Sequence, residues 1–313
     1  MSFDPIVSGS LSFLVVLILM ALNVPIGISM LVVGFTGFAL ITGFEQALFV
    51  LGTAPFEAVS KYTLSVLPLF VLMGNLANRA NLSRNLYDAA YAIVGHYKGG
   101  LAMSTVGACA GFAMICGSSI ATAATMSQMA GPEMKRHGYS DALISGSVAS
   151  GGTLGIIIPP SVILIIYAYL TEQSIQQLFF AALIPGLIAV VLYMIAIRVY
   201  LVIYPDQGGH GEKMTARDRI SALTKVFPIF LIFAIIMGGL YLGFFTATES
   251  AAVGVILVII FIFFRGELTI ELLRNSIWDT VKTVGALYLI VIGASVFNFL
   301  ITVTQLPFTV VDF

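Results

Sequence analysis

The chain has 313 residues, of which 59% are hydrophobic and only 9% charged, with a mean hydropathy of +1.05. Soluble globules carry about 25% charged residues, so the composition excludes that class and reads as an all-α polytopic membrane protein with almost no room for a soluble domain. The net charge of −1, without a basic stripe, excludes nucleic-acid binding, and the sequence holds no P-loop for internal ATP use.

The first uncharged run, residues 5 to 44, would reach roughly 60 Å as one straight helix, about twice the hydrocarbon thickness. Pro25 and Gly27 offer a break, so two crossings are predicted, with the N-terminus outside. Asp4 stands where a signal peptide would be positive and no cleavage site follows, so the run reads as structure and not as a removed leader. Residues 62 to 78 are the next uncharged run, and residues 77 to 98 suit an amphipathic helix in the membrane interface.

Residues 99 to 132, GGLAMSTVGACAGFAMICGSSIATAATMSQMAGP, carry no charge and lie between Lys98 and the pair Lys135 and Arg136. The densest basic cluster, Lys213, Arg217, Arg219 and Lys225, places residues 205 to 226 in the cytoplasm. Counting back, a crossing over 177 to 204 leaves the TEQS loop (171 to 174) outside, and another over 142 to 170 returns to Lys135, Arg136 and His137 inside. Arg79, Arg84 and Lys98 follow the same rule. The stretch 99 to 132 therefore enters and leaves on one side, as a re-entrant hairpin. Its middle holds Gly117, Ser118 and Ser119, and irregular backbone at that depth is tolerated only under cover of protein or a water-filled cavity.

The crossing 142 to 170 contains GGTLGIIIPPS at 151 to 161. Paired glycines followed by Pro159 and Pro160 remove intrahelical hydrogen bonds and free carbonyls, which predicts a broken helix. Half-helix N-termini then face an anion, while unwound carbonyls and hydroxyls suit a hard cation such as sodium. Candidate groups are Gly152, Thr153, Pro159 and Ser161, with Ser118, Ser119 and Thr122 from the hairpin. Gly, Ala, Ser and Thr also serve close helix packing in membranes, and proline kinks are common. Each feature alone is therefore open between packing and a site; their occurrence in consecutive segments favours a site.

Residues 227 to 245 cross outward and 250 to 264 return to Arg265. Between them Thr246 and Thr248 start a helix that Glu249 caps; an intramembrane cation site at Glu249 is the second reading. Residues 266 to 282 read as another interfacial amphipathic helix, and 283 to 305 as a last crossing. Cys109 and Cys116 have no metal-ligand spacing and read as packing residues; His96, His137 and His210 fall at loops. A hydrolase built on Ser118 finds no His at membrane depth and no Asp or Lys partner, so no enzyme is indicated.

At the hairpin and the break the sequence resembles the large membrane subunit of tripartite ATP-independent periplasmic (TRAP) transporters. The residues that carry the likeness are LPLFVLMGNLA (67 to 77), residues 85 to 126, PEMKRHGY (132 to 139), residues 151 to 175 and FFTATESAAVGV (244 to 255). The resemblance implies an elevator-type transporter fold in the bacterial inner membrane, with interfacial arm helices and sodium-coupled uptake of an anionic carboxylate. It implies two partners, a small membrane subunit and a periplasmic solute-binding protein, and no cofactor beyond the coupling ion. Carried over by position, Ser118 and Ser119 with Gly151, Gly152, Thr153, Pro159 and Pro160 would form a sodium site and one wall of the substrate site. Such transporters are inverted repeats. Here residues 1 to about 225 read as the first repeat and 226 to 313 as the start of a second, incomplete one, all within one membrane domain. Alternatives are a stand-alone secondary transporter of the wider superfamily, or a membrane remnant that does not transport.

Overall fold

A computed structural model describes residues 5–307. Every regular element among them is helical. The chain opens with α1 (Pro5–Ala21), α2 (Ile26–Thr42) and α3 (Phe44–Ser60), then a 3-10 turn at Tyr62–Ser65; a second 3-10 turn, Pro205–Gln207, lies further on. It continues with α4 (Val66–Arg79), α5 (Leu82–Val94), α6 (Gly100–Cys116), α7 (Ser119–Arg136), α8 (Asp141–Ile157) and α9 (Val162–Leu170). The last four are α10 (Ile175–Ile203), α11 (Ala216–Tyr241), α12 (Ala247–Phe264) and α13 (Ile270–Val303). Asp4 and the chain beyond Pro307, on which the reading of the two termini rests, lie outside the described residues. Two compact units result, Val66–Thr280 in one and Met1–Ser65 with Val281–Phe313 in the other.

Four helices, α10 to α13, are long and apolar enough to cross a membrane, and α8 with α9 qualifies together as one span bent by 45°. On α10, Phe180, Ile184, Leu192 and Val202 expose more than half of their surface. Such a face suits hydrocarbon as its solvent.

In the smaller unit the break in the first apolar run falls at residues 22 to 25, where Asn23 takes a positive φ of 64° and Pro25 precedes α2. Gly27, expected at the break, is helical instead. Its missing Cβ admits the main chain of α13, since a methyl there would lie 2.7 Å from the Leu289 carbonyl oxygen. Gly34 repeats the approach one heptad on, against the main chain of Phe297. Small residues at this spacing let helix backbones meet closely. Val16, Val33, Phe38, Val50, Phe297 and Leu300 fill the core around them, with Phe13 edge-on to Phe297 at 5.1 Å.

One expectation is corrected, and one element is new. Residues 266 to 282 do not form a helix apart from the last crossing, because α13 runs unbroken from Ile270 to Val303. No proline interrupts it, and Arg79 and Asn75 of α4 hold its first turns through Asp279 and Thr280. The charged segment around Glu45 and Glu57, given no element by the sequence reading, is α3, with Lys61 just beyond its end. It carries Pro55 within it and buries Ala47, Val50, Ala54 and Ala58.

In the larger unit α8 packs along both α6 and α7, while α5 packs against α6 and α11 and buries Leu82, Leu86 and Ala89. The amphipathic pattern of α5 thus serves a protein contact on its apolar side. Thr246 and Glu249 form a capping box at the head of α12: the Glu249 amide donates to Thr246 Oγ1 at 3.3 Å, and Glu249 Oε2 accepts from the Thr246 amide at 2.8 Å. That agrees with the cap read from the sequence.

Candidate functional site

The hairpin is two helices joined at Gly117 and Ser118. α6 is buried along almost its whole length. At its end Gly117 adopts φ +61°, a left-handed conformation that glycine reaches without the steric cost of a Cβ. Ser118 is the N-cap of α7, its Oγ accepting from the Ala121 amide at 3.3 Å. Its carbonyl takes the Thr122 hydroxyl at 2.7 Å. Thr122 is therefore buried and engaged inside its own helix.

α8 ends where the sequence places its paired prolines, and α9 starts afresh behind a second serine cap, Ser161, whose Oγ accepts from the Leu164 amide at 3.4 Å. Tip and break are in direct contact. The Val162 amide donates to the Gly117 carbonyl oxygen at 3.2 Å. A Cβ on Gly117 would fall on the Pro160 carbonyl oxygen, and one on Gly155 would lie 2.7 Å from the Ser118 carbonyl oxygen.

Lower on the same face, Gly152 meets Ala123, and Gly151 meets the sulfur of Cys109, each at 2.7 Å from a hypothetical Cβ. Both cysteines are buried and free, in keeping with a packing role. From α4, Gly74 reaches the main chain of Cys116, and the Asn78 side-chain oxygen accepts the Thr125 hydroxyl of α7 at 3.1 Å.

The structure thus gathers Gly117, Ser118, Ser119, Gly151, Gly152, Pro160 and Ser161 along one seam. Thr153 is not among them. One residue on from Gly152, it turns about 100° around the helix, donates to the Ser150 carbonyl at 2.7 Å and meets the Tyr193 hydroxyl of α10 at 3.0 Å. Gly155 and Gly74 belong to the seam but were not singled out in the sequence. The spacing of Gly151 to Gly155, small residues four apart, was the signal for the first of these.

Four half-helix ends meet at this seam. The C-terminal ends of α6 and α8 bring carbonyl groups with partial negative charge; the N-terminal ends of α7 and α9 bring amides with partial positive charge. Ser119 has no side-chain hydrogen bond among the described residues and is only partly buried. Hydroxyls and carbonyls are hard oxygen donors, so the residues fit a hard cation better than a soft metal; no group of three His, Cys, Asp or Glu side chains suits a metal among the described residues.

A helical hairpin folded back onto a broken, apolar helix, within a chain of several membrane-length helices, defines a multi-pass membrane protein of the transporter class. The family model for the DctM component of tripartite ATP-independent periplasmic transporters matches residues 13–313, and the chain belongs to that family. It is thus of a permease family and not an enzyme. It is 35% identical over 253 residues to the C4-dicarboxylate TRAP transporter large permease protein DctM of Pseudomonas aeruginosa, which covers 80% of this chain and 59% of that protein. It is 31% identical to the sialic acid TRAP transporter large permease protein SiaM of Vibrio cholerae, covering 82% of this chain and 60% of that one. To the ectoine/5-hydroxyectoine TRAP transporter large permease protein UehC of Ruegeria pomeroyi it is 30% identical, over 94% and 69% respectively. The chain spans about three fifths of the length of the first of these relatives.

Proposed function

We propose that this chain supplies the first hairpin and the first broken helix of a TRAP transporter's large permease subunit, which takes up a small carboxylate by an elevator movement coupled to sodium. The observation that carries the reading is the meeting of four half-helix ends at Gly117 to Ser119 and Pro159 to Ser161. Carbonyl-bearing ends suit the cation, and amide-bearing ends suit the carboxylate. C4-dicarboxylates, sialic acid and ectoine, the solutes in the relatives' names, share a carboxylate group. That common group is what an amide-lined seam recognises.

The sodium donors in this reading are Ser118 and Ser119 with main-chain groups at the seam near Gly152. The Thr153 hydroxyl is left out, because Tyr193 holds it elsewhere. The division into inverted repeats and the bacterial inner-membrane location belong to the same proposal, as do a small membrane subunit and a periplasmic binding protein as partners.

The test is uptake by the complete subunit, reconstituted with both partners in vesicles, of a labelled C4-dicarboxylate, sialic acid or ectoine under a sodium or a potassium gradient. Ser119→Leu should abolish sodium-driven uptake while leaving membrane insertion intact. Normal uptake by that variant would remove the seam from the ion pathway.

A further inference from the structure

The loop between α10 and α11 is not free. Residues 207 to 212 lie across the base of the hairpin and bond to both of its feet. Next to the first foot, the Gly99 amide donates to the Gly209 carbonyl at 3.2 Å and the Gly211 amide to the Gly95 carbonyl at 3.0 Å. Past the second, the Ser140 amide donates to the Gln207 carbonyl at 3.0 Å. The Glu212 amide adds a bond to the Tyr91 hydroxyl of α5 at 2.9 Å. Glycine makes the approach possible: a Cβ on Gly209 would overlap the His137 carbonyl oxygen, and one on Gly211 would lie 2.6 Å from that of Gly95.

One side chain joins all three strands of this knot. Tyr139, just after α7, is 4% exposed. Its hydroxyl accepts from the Leu101 amide in the first turn of α6 at 3.2 Å and donates to the Gly209 carbonyl at 3.0 Å. Leu101 is one of the early helix amides that have no partner within their own helix, so this hydroxyl satisfies a donor that is buried at the foot. Burial pushes the hydroxyl up to about 12, so the proton needed for the second bond stays in place across the physiological range.

We propose that Tyr139 is a positioning residue for the hairpin tip: with residues 207 to 212 it fixes the spacing of the two feet and so holds Gly117 to Ser119 against the break. α6 and α7 are stiff arms about 25 Å long at 1.5 Å per residue, closed at the tip by one tight turn, and a change of spacing at the feet is carried to that turn. The significance for transport rests on the function proposed above; the positioning itself does not.

Hydrogen exchange on the complete subunit with its small partner separates the two. In Tyr139→Phe, which keeps the ring, amides of residues 113 to 125 should exchange about fivefold faster, the factor set by one net hydrogen bond. The sodium concentration for half-maximal uptake should rise by a similar factor, with the maximal rate retained. Gly209→Ala, acting from the other side of the same bond, should reproduce both effects. If exchange speeds up only at residues 99 to 103 and 207 to 212, or if only the maximal rate falls, Tyr139 is a local structural residue and the proposal is wrong. Wild-type uptake that ignores sodium would overturn the coupling reading alone, and exchange at the tip would still decide the role of Tyr139.

Discussion

Val162 and Gly117, 45 residues apart in sequence, share a main-chain hydrogen bond of 3.2 Å. The amide belongs to the first turn of a half-helix and the carbonyl to the last turn of a hairpin arm. Each group lacks a partner within its own helix, and each satisfies the other. The tip of the hairpin is in this sense completed by the broken helix.

Gly117 should therefore tolerate replacement poorly. Gly117→Ala meets a positive φ, which costs about 1 kcal/mol or more, and also drives a methyl onto the Pro160 carbonyl. Gly138→Ala meets a comparable φ of +75° in open space. Thermal unfolding in detergent should show a clearly larger loss for Gly117→Ala, with uptake lost only in that variant.

Two glycines of α8 make a second contrast. Gly155→Ala places a methyl 2.7 Å from the Ser118 carbonyl oxygen, whereas Gly146 has nothing within 4 Å. Gly146→Ala should stabilise by about 0.5–1 kcal/mol, the ordinary helix preference for alanine. Gly155→Ala should destabilise and impair uptake. Equal effects on melting would mean that the seam is looser than described.

Thr153 and Tyr193 should behave as a pair in a double-mutant cycle. Thr153→Val and Tyr193→Phe each remove one partner of the same 3.0 Å bond, with a cost of about 1 kcal/mol. The double variant should lose little more than either single one, and the half-saturating sodium concentration should not move. A shift confined to Thr153→Val would return its hydroxyl to the ion site.

At the head of α12, Thr246→Ala should lower stability by about 1 kcal/mol through loss of the cap. Glu249→Gln should be milder, because the amide oxygen still accepts from the Thr246 backbone. Neither should alter the sodium dependence of uptake. A change in that dependence with Glu249→Gln would mark the carboxylate as part of the ion pathway after all.

The tip and the break were legible in the sequence because their chemistry conflicts with their surroundings. Gly117 to Ser119 interrupt an apolar run, and Pro159 with Pro160 cannot donate the hydrogen bonds that a continuous helix needs. The cap at Thr246 and Glu249 was legible for a related reason, as a short motif with a local mechanism. Thr153 turns toward Tyr193 of α10, while Gly151 meets α6 and Gly152 and Gly155 meet α7 and its cap; only packing showed which way each residue of the run turned. α3 was hidden by Glu45, Glu57 and Pro55, which break the pattern of an apolar span without preventing a helix. The knot at Tyr139 was out of reach, since it joins residues 38 and 70 apart through main-chain groups that carry no sequence signature.

Withdrawing the tip from the break would leave the Gly117 carbonyl and the Val162 amide without partners in a setting where bare polar backbone costs several kcal/mol. The hairpin tip thus has a reason to stay against the break that does not depend on any side chain. Under the function proposed above, an arriving ion or carboxylate would have to offer those two groups a substitute partner before the seam parts, and a molecule too apolar to do so would meet a closed door. In that reading resistance to leakage lies in the main chain, and the surrounding side chains are free to differ for different solutes.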